Sequence, residues 1–358
     1  MKAIYSLILV VALILIAMVG AGVLGMDALF GVIIPYLAVL IFIVGFVVRV
    51  VQWGKTPVPF RIPTTCGQAR KSLPMFKDKW NRLDNPGTKL GVVGRMFFEV
   101  FLFRSLFRNT RVELHQGPHI AYSSSKWLWI FALIFHYTFL VIFLRHMRFF
   151  TEPVPEFFVT MDHMDSMFQI LSPALYLSSV LILVALGYLL LRRLLVPSVR
   201  YISQPADYFP LFLIIGIVIS GMLMRYIGTF KTDLMPVKEL AMGLVQFSPT
   251  VPEGIGTTFF VHLFLVSVLL IYFPFSKLMH LGGVFLSPTR NLPNDSREKH
   301  HENPWNYPVK FHTYQAYEDE NREVMVEAGL PVEKPLEQEK TEEASGDETS
   351  DDNAEKKE

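Results

Sequence analysis

The sequence predicts an all-α fold, a polytopic transmembrane bundle of about six helices, and three observations predict it. The composition is 51% hydrophobic and only 18% charged, more apolar than a typical soluble domain. The apolar residues fall in blocks, at roughly 4–24, 29–52, 127–150, 170–195, 208–229 and 256–281. Each block reaches the length of about 20 residues that a helix needs to cross a hydrocarbon core. The charges between the blocks are segregated by sign, as loops on opposite sides of a bilayer are.

The first block begins with Lys2 and a long apolar stretch. Its apolar core exceeds the ~7–15 residues of a signal peptide, and no small-residue cleavage pattern follows, so a retained helix is expected over residues 1–26. A second span fills 27–52. The loop 53–126 then carries thirteen Lys/Arg against Asp78, Asp84, Glu99 and Glu113. The next loop, 151–169, has Glu152, Glu156, Asp162 and Asp165 and no Lys or Arg, whereas Arg192, Arg193 and Arg200 mark the one after. The positive-inside bias puts 53–126, 192–207 and the tail in the cytoplasm, with both termini there, and makes the chain a multi-pass protein of the cell membrane in contact with lipid. No nucleic-acid partner is expected.

Within the long loop, PFRIPTTCGQARKSLPMF is rich in turn formers and reads as irregular. From Leu90 to Thr110 apolar residues alternate with Arg95, Arg104 and Arg108, the pattern of a basic amphipathic helix that lies on the membrane or meets a partner. Cys66 is the only cysteine, which excludes an internal disulfide and four-cysteine iron–sulfur or zinc ligation by this chain. It either touches a partner or simply sits in a turn. With no C-x-x-C-H, any haem would be held without a covalent bond. Residues 127–290 form the main membrane domain, and 291–358 a cytoplasmic tail. After Tyr317 that tail turns acidic, ending EEASGDETSDDNAEKKE, and is expected to be disordered.

Four histidines lie in the apolar blocks: His136 and His146 in FHYTFLVIFLRHM, His262 and His280 in the last block. Imidazoles at membrane depth are costly and point to function; the plainer alternative is a hydrogen bond to a neighbouring helix. At 1.5 Å per residue the first pair is about 15 Å apart along its helix and the second about 27 Å; eighteen residues at ~100° each make five full turns, so the second pair shares one face. The two spans run antiparallel, so His136 meets His280 near the cytoplasmic side and His146 meets His262 near the outer side. Opposed imidazoles are how a six-coordinate, electron-transferring haem is held. A zinc site needs three or four ligands at one point, and these spacings do not supply them. Arg145 and Arg148 flank the outer pair and can neutralise haem propionates or reach for the interface. Lys277, Arg192 and Arg193 have the same two parts at the inner end. Asp162, His163 and Asp165 are the titratable groups near the outer pair. The remaining histidines, His115, His119, His300, His301 and His312, read as solvated.

The last block, FVHLFLVSVLLIYFPFSKLMHLGGV, resembles the fifth helix of the nitrate reductase gamma subunit family, with its HL…FPFS-(K/R)-L-x-H pattern. The third block is similar to that family's second helix in its ten-residue histidine spacing, and LRRLLVPSVRYISQPADY resembles its connection between helices three and four. The first helix, the long loop and the acidic tail depart from that pattern. The loop is similar to that of the DsrM family, membrane cytochromes of sulfite-reduction-associated complexes, and of relatives paired with heterodisulfide-reductase-like iron–sulfur subunits. The resemblance implies two haem b groups, His136 with His280 on the inner and His146 with His262 on the outer. It implies menaquinone or menaquinol as substrate and no catalytic side chain in this subunit. It implies a DsrK-like iron–sulfur subunit on the cytoplasmic side, and cytochrome c and further membrane subunits as partners. A quinol pocket would lie near the outer haem, with Asp162, His163 and Asp165 as its candidate residues; the family's pocket lysine has no counterpart here. The rival expectations are a haem-free membrane anchor and a proton-coupled transporter. No internal repeat favours the transporter.

Overall fold

The computed structural model describes residues 2–56, 83–115, 119–166, 175–294 and 311–335. It divides into two units, Met1–Pro304 and Trp305–Glu358.

The first unit is a helical bundle. Six of its helical segments, Lys2–Gly22, Leu29–Lys55, Lys126–Phe149, Leu177–Leu195, Pro205–Tyr226 and Thr257–Phe275, are long and apolar enough to cross a membrane. They are built on α1 (Lys2–Gly22), α2 (Ile34–Lys55), α5 (Lys126–His146), α7 (Leu177–Leu195), α9 (Pro205–Tyr226) and α11 (Thr257–Tyr272). Proline sits in the first turn of α2 and of α9, where its missing N–H costs nothing. At α9 the Gln204 amide also donates to Asp207 at 3.0 Å, closing a capping box.

Close packing joins α5 to α7, α7 to α9, α9 to α11 and α11 to α2, while α1 lies on α9 and α11. α5 and α11 are not among these closely packed pairs, so the bundle has a seam between them. In lipid the gain comes from van der Waals packing rather than from water release, which favours small residues at contacts. α1 fits that rule: Ser6, Val10, Ala17, Gly20 and Ala21 are its buried residues. The Ser6 hydroxyl donates to the Pro205 carbonyl at 2.8 Å. Val10, Ala17 and Ala21 join Phe209, Leu213, Phe260, Val261 and Leu265 in one core cluster, and Ile182, Leu186 and Ile214 form a second beside α5.

Three elements of this unit differ from the sequence-based reading. The last span is not one helix through residue 281: α11 stops at Tyr272, short 3-10 turns cover Phe273–Phe275 and Lys277–Met279, and α12 (His280–Leu286) begins at the histidine itself. The cause is local. Pro274 has no N–H to continue the ladder, and Ser276 is extended at φ −123° and ψ 176°. Gly45 of α2 accommodates this break, since a Cβ there would stand 2.8 Å from that of Pro274.

The amphipathic segment is helical as α3 (Lys89–Leu102), capped by Thr88, but it breaks at Phe103 before α4 (Arg104–Phe107). Its arginines are not a free basic face. Arg104 and Arg108 both pair with Asp84, and Arg290 pairs with Glu99 at 2.5 Å. The Arg95 Nε is buried with no hydrogen-bond partner among the described residues. Burial first, then the charge of Arg290, lowers the Arg95 pKa against the pull of Glu99. Leu90, Val93, Phe97 and Phe101 remain exposed on its apolar face.

Two strands, β1 (Thr110–His115) and β2 (His119–Ser124), pair antiparallel where the charge pattern alone predicts a loop. Outside the spans the bundle also has α6 (Glu156–Ser166), α8 (Pro197–Ile202), α10 (Leu234–Val245) and α13 (Pro288–Asn291).

The second unit contains α14 (Tyr314–Glu327), so order continues past Tyr317, contrary to the composition argument. The carboxylate of Glu318 explains it by accepting from the backbone amides of Glu333 (2.8 Å) and Lys334 (3.1 Å) and from Arg322 (3.2 Å). Those amide bonds, led by Glu333, lower the Glu318 pKa against its partial desolvation. His312 is exposed, 3.7 Å from Glu320. Cys66, His300, His301 and the acidic end of the tail lie outside the described residues.

Candidate functional site

Two histidine pairs face each other across the gap between α5 and the last span: His146 opposes His262 of α11, and His136 opposes His280 at the start of α12. The ring centroids of His136 and His280 are 6.0 Å apart, and those of His146 and His262 are 6.4 Å apart. Two imidazoles on opposite sides of one metal, each bonded at ~2.0–2.1 Å, have centroids about 6.3 Å apart once roughly 1.1 Å of ring is added on each side. Both pairs have that spacing. Among the described residues no three His, Cys, Asp or Glu side chains converge as a metal cluster; the four imidazoles lie in two pairs.

The second nitrogen of each ring is already committed. His136 Nδ1 lies 2.7 Å from the Ala132 carbonyl, His146 Nδ1 2.7 Å from that of Ile142, and His280 Nδ1 2.9 Å from that of Lys277. A carbonyl only accepts, so each Nδ1 carries the proton. His262 Nδ1 is 2.9 Å from the Ser220 hydroxyl, which donates to the Ile217 carbonyl at 2.9 Å and so accepts from the histidine. All four rings therefore present an Nε2 lone pair. This is the tautomer that metal-bound histidine takes when its other nitrogen is held by a neighbouring acceptor. Room for His262 comes from Gly221, where a Cβ would stand 3.3 Å from the ring. His136 is packed edge-on by Phe103 (4.9 Å) and Phe135 (5.0 Å).

Ten residues of one continuous helix separate His136 from His146, about 15 Å by helix rise. The break before His280 removes the other estimate, about 27 Å along a single helix, and α5 alone now sets the vertical spacing. Ten residues of α5 also precede His136, whereas His280 lies beyond the end of α11. The start of α5 thus extends about 15 Å past that level. The end of α3 docks along this half of α5: Trp129 Nε1 donates to the Leu102 carbonyl at 2.7 Å, and the Tyr137 hydroxyl, just past His136, to that of Phe101 at 2.9 Å. These two side chains satisfy carbonyls that the end of a helix leaves open.

The flanking charges have internal partners. Arg145 is buried; its Nε donates to Asp162 at 2.9 Å and an Nη to Asp165 at 2.5 Å, and its plane lies 3.3 Å from the centre of the Tyr176 ring. Arg225 covers Tyr176 at 3.7 Å, and Arg148 lies 3.2 Å from Asp162. Asp165 is buried and also accepts from the Ser178 amide (2.8 Å) and hydroxyl (2.6 Å). This network ties α6 to the ends of α5 and α7. It leaves Arg145 little freedom to meet a cofactor carboxylate, and Arg148 is the less buried of the two. Burial would raise the Asp162 pKa, but the hydrogen bond and charge of Arg145, with Arg148 and Tyr176, win and hold it below the usual carboxylate range. Asp162 is therefore a poor proton acceptor at neutral pH, and the Asp165 carboxylate is already occupied by Arg145 and Ser178. His163 is exposed on the same helix.

At the other end Lys277 pairs with Asp207 at 2.6 Å, and Arg193 donates to Ser203 at 3.0 Å and lies 3.8 Å from Asp207. The Lys277 bridge ties the segment that carries His280 to the start of α9. Sequence reasoning named the four histidines but missed Ser220, Gly221, Phe103 and Tyr176. The i−4 relation of Ala132 to His136 and of Ile142 to His146 was readable in a helix; the partnership of Ser220 with His262, on different helices, was not.

A membrane bundle with paired histidines across one seam defines a class, and the chain belongs to it: residues 99–293 match the nitrate reductase gamma subunit family. The chain is 46% identical over 282 residues to the Hdr-like menaquinol oxidoreductase cytochrome b-like subunit of Archaeoglobus fulgidus, an alignment that covers 77% of this chain and 83% of that one. It is 44% identical over 277 residues to the protein of the same description from Archaeoglobus profundus, covering 76% and 81%. With its six apolar helices, it is a multi-pass membrane protein.

Proposed function

We propose that this chain is a dihaem cytochrome b subunit of a menaquinol oxidoreductase, exchanging electrons between menaquinol and a cytoplasmic heterodisulfide-reductase-like iron–sulfur subunit. The observation that carries the proposal is the matched set of four imidazoles, each with its Nδ1 held, in two pairs whose ring centroids are 6.0 and 6.4 Å apart. His136 and His280 hold one haem b, and His146 and His262 the other. Bound haem supplies reversible one-electron chemistry at each level.

The other residues position and insulate. Ala132, Ile142, Lys277 and Ser220 fix the tautomers. Phe103 and Phe135 pack against His136. Arg148 is the cation best placed for a propionate at the outer pair, with Arg145 held by Asp162 and Asp165. His163 is the proton acceptor we assign to an outer quinol site, because both neighbouring aspartates are engaged. The loop 53–126 faces the cytoplasm, as do both termini, and its apolar stripe on α3 is where the iron–sulfur subunit docks. The names of the relatives support the menaquinol and the heterodisulfide-reductase-like assignments. Within that group we place the chain with the DsrM-type cytochromes of dissimilatory sulfur metabolism, alongside a DsrK-like subunit, a cytochrome c and further membrane subunits.

The test is a reduced-minus-oxidised spectrum of the purified protein, followed by addition of a menaquinol analogue. Bands of b-type haem that the quinol reduces and the iron–sulfur subunit reoxidises are expected. A spectrum without them would favour a haem-free anchor. Haem potentials far below the menaquinone couple would rule out quinol oxidation by this route.

A further inference from the structure

We propose that the two histidine pairs hold their haems with different imidazole orientations, crossed at His136/His280 and aligned at His146/His262, so that the two ferric haems are spectroscopically distinct. The proposal rests on the dihaem reading above. The ring planes of His136 and His280 meet at 83°, whereas those of His146 and His262 are 14° apart.

These angles are held by named contacts. Turning any of the four rings about its Cβ–Cγ bond would pull Nδ1 away from its acceptor. His136 is further fixed between two aromatic edges, with Phe103 at 84° and Phe135 at 81° to its plane. Phe103 adopts φ 48° and ψ 47°, a left-handed conformation that a bulky residue rarely takes. Strain of that kind persists where the surroundings impose it, and here the residue imposed upon is the one that packs a candidate ligand. At the other pair, Ser220 sets the plane of His262, and Gly221 leaves the space that a side chain would take from the ring. Phe103 and Ser220 are therefore positioning residues for opposite outcomes.

The consequence follows from orbital overlap. Each imidazole donates π density into the iron dπ orbital perpendicular to its own plane. Aligned planes load one orbital of the pair and split the two widely, which gives a rhombic, three-line low-spin ferric signal. Crossed planes load both equally, leave them nearly degenerate, and give a single broad feature at low field.

Electron paramagnetic resonance of the oxidised full-length protein, in its complex or native membrane, reads this directly. One broad low-field feature and one rhombic signal are expected, in equal amounts. His280→Ala should remove the broad feature and His146→Ala the rhombic one. Phe103→Gly, which tolerates the left-handed backbone and deletes the ring, should shift the broad feature toward the rhombic shape without loss of haem. Two signals of the same type, or the opposite assignment, would overturn the proposal while leaving the dihaem reading intact. Absence of bound haem in a parallel pyridine haemochrome assay would overturn the dihaem reading and this proposal with it.

Discussion

Replacing Arg145 by Met removes the guanidinium that ties α6 to α5 and α7 while keeping most of the side-chain volume. Arg145 and Asp165 are both buried, and their contact is 2.5 Å. Removing one member of such a pair costs about 3–5 kcal/mol, because the other is left uncompensated. Asp165 keeps two donors from Ser178, and the Asp162 side chain is 25% exposed, so the lower end applies. A loss of about 3 kcal/mol in local opening energy corresponds to roughly a hundredfold faster amide exchange. The assay is hydrogen exchange of the α6 amides, with α11 as internal control. Asp165→Asn alone should also loosen α6. The double variant Arg145→Met/Asp165→Asn should recover most of the protection, with a coupling of at least about 1.5 kcal/mol. Unchanged exchange in Arg145→Met, or strictly additive losses, would refute the claim that this pair holds α6 in place.

The same network has an acid limit. Because the folded pKa of Asp162 is depressed, its contribution is complete above the ordinary aspartate value of about 3.9 and is lost as pH falls through the lower folded value. Protection of α6, corrected for intrinsic exchange, should fall in that window in the wild type and stay flat in Asp162→Asn. Ser220→Ala leaves the Nδ1–H of His262 without its acceptor, and loss of such a partner typically costs 10–100-fold in affinity for the metal group. Haem retention at the outer pair should drop by about that factor, read by titration of apoprotein, with the inner pair unaffected. Gly45→Val places atoms against Pro274, where even a Cβ would be at 2.8 Å, and overpacking of this kind costs about 1–3 kcal/mol. It should shift His280 and weaken haem at the inner pair. Glu318→Ala removes the acceptor for two backbone amides, and exchange at residues 333–334 should quicken, while the bundle stays unchanged.

The six spans were legible because the bilayer imposes a length and an apolar composition that a sequence displays directly. The histidine pairing was legible because antiparallel spans force an order on residues 136, 146, 262 and 280. What escaped has local or tertiary causes. Pro274 was visible, but its effect on the phase of His280 was not, since a proline can kink a helix or end it. The hairpin shows a period of two in TRVELH and HIAYSS, a short signal hidden in a loop read for charge. The arginines at 104 and 108 read as a basic face because nothing in the sequence said that Asp84, before α3, would meet them. Acidic composition also misjudged α14, whose carboxylate at 318 serves as an acceptor for the chain that folds back on it.

If the four imidazoles act as two cross-helix pairs, loss of haem must group by pair. The direct measurement is haem stoichiometry, by pyridine haemochrome and redox titration, on the wild type and on His136→Ala, His146→Ala, His262→Ala and His280→Ala. Two haems are expected in the wild type, with loss of the same one from the 136 and 280 variants and loss of the other from the 146 and 262 variants. Any other grouping, such as 136 with 146, would contradict the pairing.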